Sequence, residues 1–99
     1  MSLKIEKVIA DSTTITLSGR LDTTTAPDLE AVLDEVLPSA TDLIFDLAGL
    51  EYISSAGLRV VLKAQKAMKS KGNMKLIHVS ENVMEVFDIT GFVDFLTFE

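Results

Sequence analysis

Leu43-Ile44-Phe45-Asp46-Leu47 constrains the fold more than any other stretch of this chain. Read as extended backbone, it carries apolar side chains on both faces, the pattern of a central strand covered on each side. Segments of helical periodicity flank it. On the N-terminal side, Thr25-Ala26-Pro27-Asp28 is a helix start, with Thr25 as N-cap, Pro27 in the first turn and Asp28 offsetting the positive end of the helix dipole. Leu29, Val32, Leu33 and Val36 form the buried stripe of that helix, and Pro38-Ser39 stop it. On the C-terminal side, a second helix follows Ser54-Ser55 and buries Leu58, Val61, Leu62 and Met68. Its opposite face repeats Arg59, Lys63 and Lys66 at helical spacing and reads as solvated surface, Lys69 and Lys71 suit its C-terminal end, and Gly72-Asn73 breaks it. Strands joined through helices pair in parallel, with right-handed crossovers.

The remaining blocks complete the pattern. Leu3, Ile5 and Lys7-Ile9 begin an alternation that resumes after the polar Asp11-Ser12-Thr13 turn, with Ile15 and Leu17 facing in and Thr14, Thr16 and Ser18 facing out, as in a hairpin. Met74 to Val79 is a further strand, Ser80 caps a third helix carrying Val83, Val86 and Phe87, and Gly91 fits a left-handed terminating position. Phe95 to Phe98 is short enough for an edge strand. The expected class is α/β, a mixed sheet with helices packed against it in the order ββαβαβα(β). At 99 residues, residues 1–99 are expected to form one domain, since two pieces would each be too small to bury a sufficient core.

Several function classes are excluded at this level. The chain has no cysteine, hence no disulfide framework and no thiolate metal site. Its beginning lacks the apolar run of a signal peptide, and no apolar stretch reaches the ~20 residues of a membrane span, so a cytoplasmic protein without membrane insertion is expected. A net charge of −6 opposes binding to a phosphate backbone, so no nucleic-acid partner is expected.

The stretch from Asp46 to Leu58 is the most informative for function. The strand is expected to end at Leu47, a loop to follow, and two hydroxyls to open the next helix, at the carboxyl end of a strand where sites concentrate in α/β sheets. A phosphate on a serine here would meet free amide hydrogens and the positive end of the helix dipole. The same residues equally suit an N-cap, and local chemistry leaves both readings open.

Three ordered segments, Gly19-Arg20-Leu21-Asp22, Tyr52-Ile53-Ser54-Ser55-Ala56-Gly57-Leu58 and Asp88-Ile89-Thr90-Gly91-Phe92, resemble the signatures of the STAS family of bacterial anti-sigma factor antagonists. The resemblance implies a STAS-like sheet and a partner switch. The unmodified protein binds an anti-sigma factor that is also a serine kinase, so releasing a sigma factor; phosphorylation ends the binding and a phosphatase resets it. It implies Ser55 as the phosphoacceptor, with Ser54 as competitor, and Asp22, Thr23, Ser54, Ser55 and Gly57 at the partner surface. Two positions depart from the family pattern: Ser54 stands where many members carry an aspartate, and Ala56 where a second hydroxyl often lies. The first departure keeps open a STAS subunit of a transport complex or signalling scaffold that works without phosphorylation.

No enzyme activity and no cofactor are expected. A Gly-x-Ser-x-Gly elbow is missing, since Ile53 occupies the upstream glycine position, and the sole histidine, His78, is expected inside the apolar strand before Ser80. Neither a metal-ligand set nor a phosphate-binding Gly-Lys loop is present in the sequence.

Overall fold

The computed structural model describes residues 3–99. Strands β1 (Leu3–Ile9) and β2 (Thr13–Leu21) form the hairpin, helix α1 (Ala26–Val36) leads to β3 (Asp42–Ile53), helix α2 (Ser55–Lys69) to β4 (Asn73–Ile77), and helix α3 (Glu81–Ile89) is followed by a 3-10 turn, Phe92–Phe95. The sheet order is β1-β2-β3-β4, antiparallel between β1 and β2 and parallel thereafter. The expected order of elements and the mixed sheet are found.

Because β2, β3 and β4 succeed one another in one direction across the sheet, two right-handed crossovers place α1 and α2 on the same face. That face holds the core: Ile15 and Leu17 of β2, Phe45 and Leu47 of β3 and Leu76 of β4 are all buried. Each such side chain contributes about 1.5–3 kcal/mol on leaving water. The opposite face is half-exposed at Ile44 and Asp46, which corrects the expectation that the central strand is covered on each side.

A second correction concerns where β3 ends. It runs on to Ile53, not to Leu47, because two bulges are built into it: the register with β2 shifts between Thr16 and Ser18 and again between Gly19 and Arg20. Buried positions therefore fall at Leu43, Phe45 and Leu47, two apart, and then at Leu50 and Ile53, three apart. Each bulge spends one extra residue, breaks the alternation and bends the strand, so the segment reads as a loop to any test for period two.

The third helix begins at Ser80, whose hydroxyl accepts from the Val83 amide at 3.3 Å, and Gly91 beyond it sits at φ +80, as expected. The expected closing strand is reduced to one parallel bridge, Leu76 with Phe98, made by Leu76 N donating to Thr97 O and Glu99 N to Leu76 O. Phe95 itself belongs to the 3-10 turn. Phe98 meets the buried Phe87 of α3 edge-to-face, with centroids 5.4 Å apart, so the last residues of the chain cover the outer edge of β4.

Candidate functional site

Pairing of Leu21 with Ile53 ends β2 and β3 side by side, and the Ser54 amide donates to Leu21 O at 2.9 Å. The chain leaves β2 through Asp22-Thr23-Thr24 and leaves β3 through Ser54-Ser55, so the two turns lie next to each other at the carboxyl end of the sheet. Four of the residues singled out in the sequence, Asp22, Thr23, Ser54 and Ser55, come together here.

The two serines differ. Ser54 is the N-cap of α2, extended at φ −97 and ψ 174, and its hydroxyl accepts from the Gly57 amide at 3.3 Å. Ser55, the first residue of the helix, is exposed and its hydroxyl makes no hydrogen bond among the described residues. The Ser55 and Ala56 amides, in the turn where an α-helix has no acceptor of its own, lie beside it. Gly57, the third residue, is buried. A Cβ there would stand 2.6 Å from Leu21 Cγ and 3.1 Å from Ile53 Cγ1, so its lack of a side chain is what lets the first turn of α2 settle on the strand ends.

Asp22 is a turn builder. Its Oδ1 accepts from the Thr24 hydroxyl at 2.7 Å, the Thr24 amide at 3.0 Å and the Thr25 amide at 3.2 Å. The Thr24 hydroxyl, followed by these amides, holds the Asp22 carboxyl below the usual carboxylate range. Thr25 occupies the N-cap position of α1 but does not cap it. Its buried hydroxyl donates to Arg20 O at 2.8 Å and accepts from the Asp22 amide at 2.8 Å, tying the turn to the end of β2. The capping expected of Thr25 is thus replaced by a bond into the strand.

Two neighbours, Arg20 and Tyr52, lie in the family-like segments but were given no role from the sequence. The Arg20 guanidinium lies 4.2 Å from the centroid of the Tyr52 ring, and its Nε is 3.8 Å from Asp22 Oδ2. Arg20 and Tyr52 are cross-strand partners only because both bulges precede them. Without that register no sequence signal pairs them.

His78 is not inside a strand, which corrects the sequence reading. It follows β4 with φ 58 and is exposed, with Nδ1 3.0 Å from Asp46 Oδ1. This bond, ahead of the one from the Ala48 amide, lowers the pKa of Asp46. Asp46 pairs with Thr16 and Ile53 with Leu21, so along β2 the two lie five residues apart, about 16 Å, and His78 is out of reach of Ser55 as a general base. No group of three or more metal-ligating side chains occurs among the described residues, and no described helix is long and apolar enough to cross a membrane.

Arg59, Lys63 and Lys66 are exposed, as read from the sequence, yet they also line a groove between α1, α2 and the 3-10 turn. Lys63 crosses it to Glu30, at 2.5 Å.

Comparison with known proteins places this geometry. The family profile described as STAS domain matches residues 4–99. The chain is 34% identical to an anti-sigma-B factor antagonist of Staphylococcus epidermidis over 97% of this chain and 92% of that protein. A crystal structure of an anti-sigma factor antagonist from Mycobacterium paratuberculosis superposes with a TM-score of 0.90 at 21% identity, over 98% of this chain and 85% of that one. The Bacillus cell fate determinant SpoIIAA in its phosphorylated form superposes with a TM-score of 0.74 at 21% identity, over 99% and 91%. These structures share the fold.

Proposed function

The chain belongs to the STAS-domain family, and we propose that it is an anti-sigma factor antagonist. It binds an anti-sigma factor that is also a serine kinase, and phosphorylation of Ser55 ends that binding; a phosphatase restores it. The observation that carries this reading is the division of labour between adjacent serines. Ser54 is occupied in capping α2, while Ser55 is exposed, unbonded and set at the positive end of the helix. A phosphate there can accept from the Ser55 and Ala56 amides, which favours the phosphorylated form without refolding.

The contact surface is Asp22 and Thr23 together with Ser54 and Ser55, and Gly57 acts from beneath by setting the height of the helix. Phosphorylation adds roughly −1.5 to −2 charge to this surface. Repulsion and desolvation of about 3 kcal/mol would weaken binding by two orders of magnitude, enough to exchange partners. The relative in Staphylococcus epidermidis, by its name, supports the anti-sigma partner. The net charge of −6 supports action through a protein and not through nucleic acid.

The test is to incubate the protein with ATP and an anti-sigma kinase encoded in the same genome, and to read phosphate by intact mass in wild type, Ser54→Ala and Ser55→Ala. A single phosphate lost only in Ser55→Ala is expected. Phosphate that survives Ser55→Ala but not Ser54→Ala would move the acceptor to Ser54. A kinase that binds without transferring phosphate would favour a constitutive STAS subunit instead.

A further inference from the structure

Charge in this chain is sorted by helix. The charged residues of α2 are all cations, Arg59, Lys63, Lys66 and Lys69. Those of α3 are all carboxylates, Glu81, Glu85 and Asp88. Part of the α2 charge is used within the chain, where Lys63 pairs with Glu30 of α1 at 2.5 Å and approaches Asp34 at 3.9 Å. Among the described residues, Arg59, Lys66 and Lys69 have no ion-pair partner, and neither do Glu81, Glu85 and Asp88. Asp88 stands in the last turn of α3, where the negative end of the helix dipole disfavours a carboxylate, so the stability of that helix does not account for it.

The unpaired cations line the groove described above, of about 1070 Å³, together with the apolar Pro27, Val60 and Phe95; Glu30, which Lys63 engages, and Asp94 also line it, leaving the cations in excess. Phe95 is 65% exposed, and Ile89 at the end of α3 is 77% exposed. A groove with apolar walls and a row of cations fits a short amphipathic helix with an acidic face. The α3 helix has that chemistry and the matching spacing. Glu81 and Asp88 are seven residues apart, as are Arg59 and Lys66, which is two helical turns or about 10.5 Å in each case. Laid antiparallel to α2, α3 of a second copy sets Asp88 opposite Arg59 and Glu81 opposite Lys66, and carries Ile89 against the apolar wall.

We propose that two copies of this chain associate reciprocally, α3 of each lying in the groove between α1, α2 and the 3-10 turn of the other. Related by a two-fold axis, the copies make both contacts at once and the pair is closed. The pairing is ionic at an exposed surface, so it weakens as salt shortens the screening length from about 10 Å at 0.1 M to about 3 Å at 1 M.

Sedimentation equilibrium of the unphosphorylated chain, at low and high salt over a range of concentrations, tests this with two double variants. Wild type is expected to show a monomer–dimer equilibrium that shifts to monomer with salt. Arg59→Glu with Lys66→Glu sets carboxylates on both sides of the two paired positions, and Glu81→Lys with Asp88→Lys sets cations on both sides. Each variant alone is expected to raise the dimer dissociation constant by at least about tenfold, through like-charge contacts. Mixed together, they are expected to recover a heterodimer of wild-type affinity, which also shows both to be folded. A wild type that is monomeric at low salt overturns the proposal, as does a dimer indifferent to both charge reversals, or a mixture without rescue. Thr23 and Ala56 line one end of the groove, beside the switch, but these measurements contain neither kinase nor ATP, so their outcomes are read separately from those of the partner switch.

Discussion

If Ser54 is the cap and Ser55 the free hydroxyl, the two alanine variants must separate in stability, although they alter the same atom type one residue apart. Ser54→Ala leaves the bond from its amide to Leu21 O intact and removes only the hydroxyl that receives the Gly57 amide. Losing such a cap costs about 0.5–2 kcal/mol. The 3.3 Å length of this bond sets it in the lower half of that range, about 0.5–1 kcal/mol. For a domain of this size 1 kcal/mol moves the melting temperature by about 4–8 °C, so a loss of roughly 3–6 °C is expected. Ser55→Ala removes an exposed hydroxyl without a hydrogen bond and installs the best helix former, so its change is expected within about ±0.5 kcal/mol. Ser54→Asp, which restores the residue common in the family, retains a capping acceptor and adds a negative charge at the helix start, and should melt at or above wild type. The assay is thermal unfolding followed by far-UV circular dichroism, with urea denaturation as a second measure. Equal losses in the two alanine variants, or a neutral Ser54→Ala beside a destabilised Ser55→Ala, would refute the assignment of roles and with it the ground for choosing Ser55 as acceptor.

Three further outcomes are expected. Gly57→Ala gains helix propensity but forces a Cβ to 2.6 Å from Leu21 Cγ; overpacking of about 1–3 kcal/mol outweighs the gain of about 0.5–1, and a lower urea midpoint is the check. The depressed pKa of Asp22 means that its bonded carboxylate contributes stability above the unfolded value, near pH 4, and loses it as pH falls through the lower folded value. The difference in melting temperature between wild type and Asp22→Asn should therefore be full at neutral pH and shrink as the solution is taken below about pH 4. Phe98→Ala removes the edge-to-face partner of Phe87 and loosens the bridge over β4; a loss of about 2 kcal/mol is expected, with faster amide exchange at Leu76 than in wild type.

Much of this architecture is legible along the chain because the signals that set it are local. The α2 stripe of Leu58, Val61 and Met68 repeats at helical spacing, and Ser80 and Gly91 mark the ends of α3 by their own side-chain or backbone chemistry. The place of the candidate site was equally local, two hydroxyls following the central strand before a helical stripe. Resemblance to a known family, and not spacing, chose between them.

What the tertiary structure decided depends on residues far apart in sequence. Only the pairing of β3 with β2 shows that the stretch from Ala48 to Ile53 is bulged strand, because a bulge is a mismatch between two strands and leaves in one of them only a broken alternation. The same pairing brings the turn at Asp22 beside Ser54. It also sets Arg20 over Tyr52 and parts His78 from Ser55. Residue types, helix periods and caps are written in each segment and could be read there. Which face is covered, which side chains meet across the sheet and which cations lack a partner are properties of contacts between segments, and the chain acquires them only when the sheet closes its register.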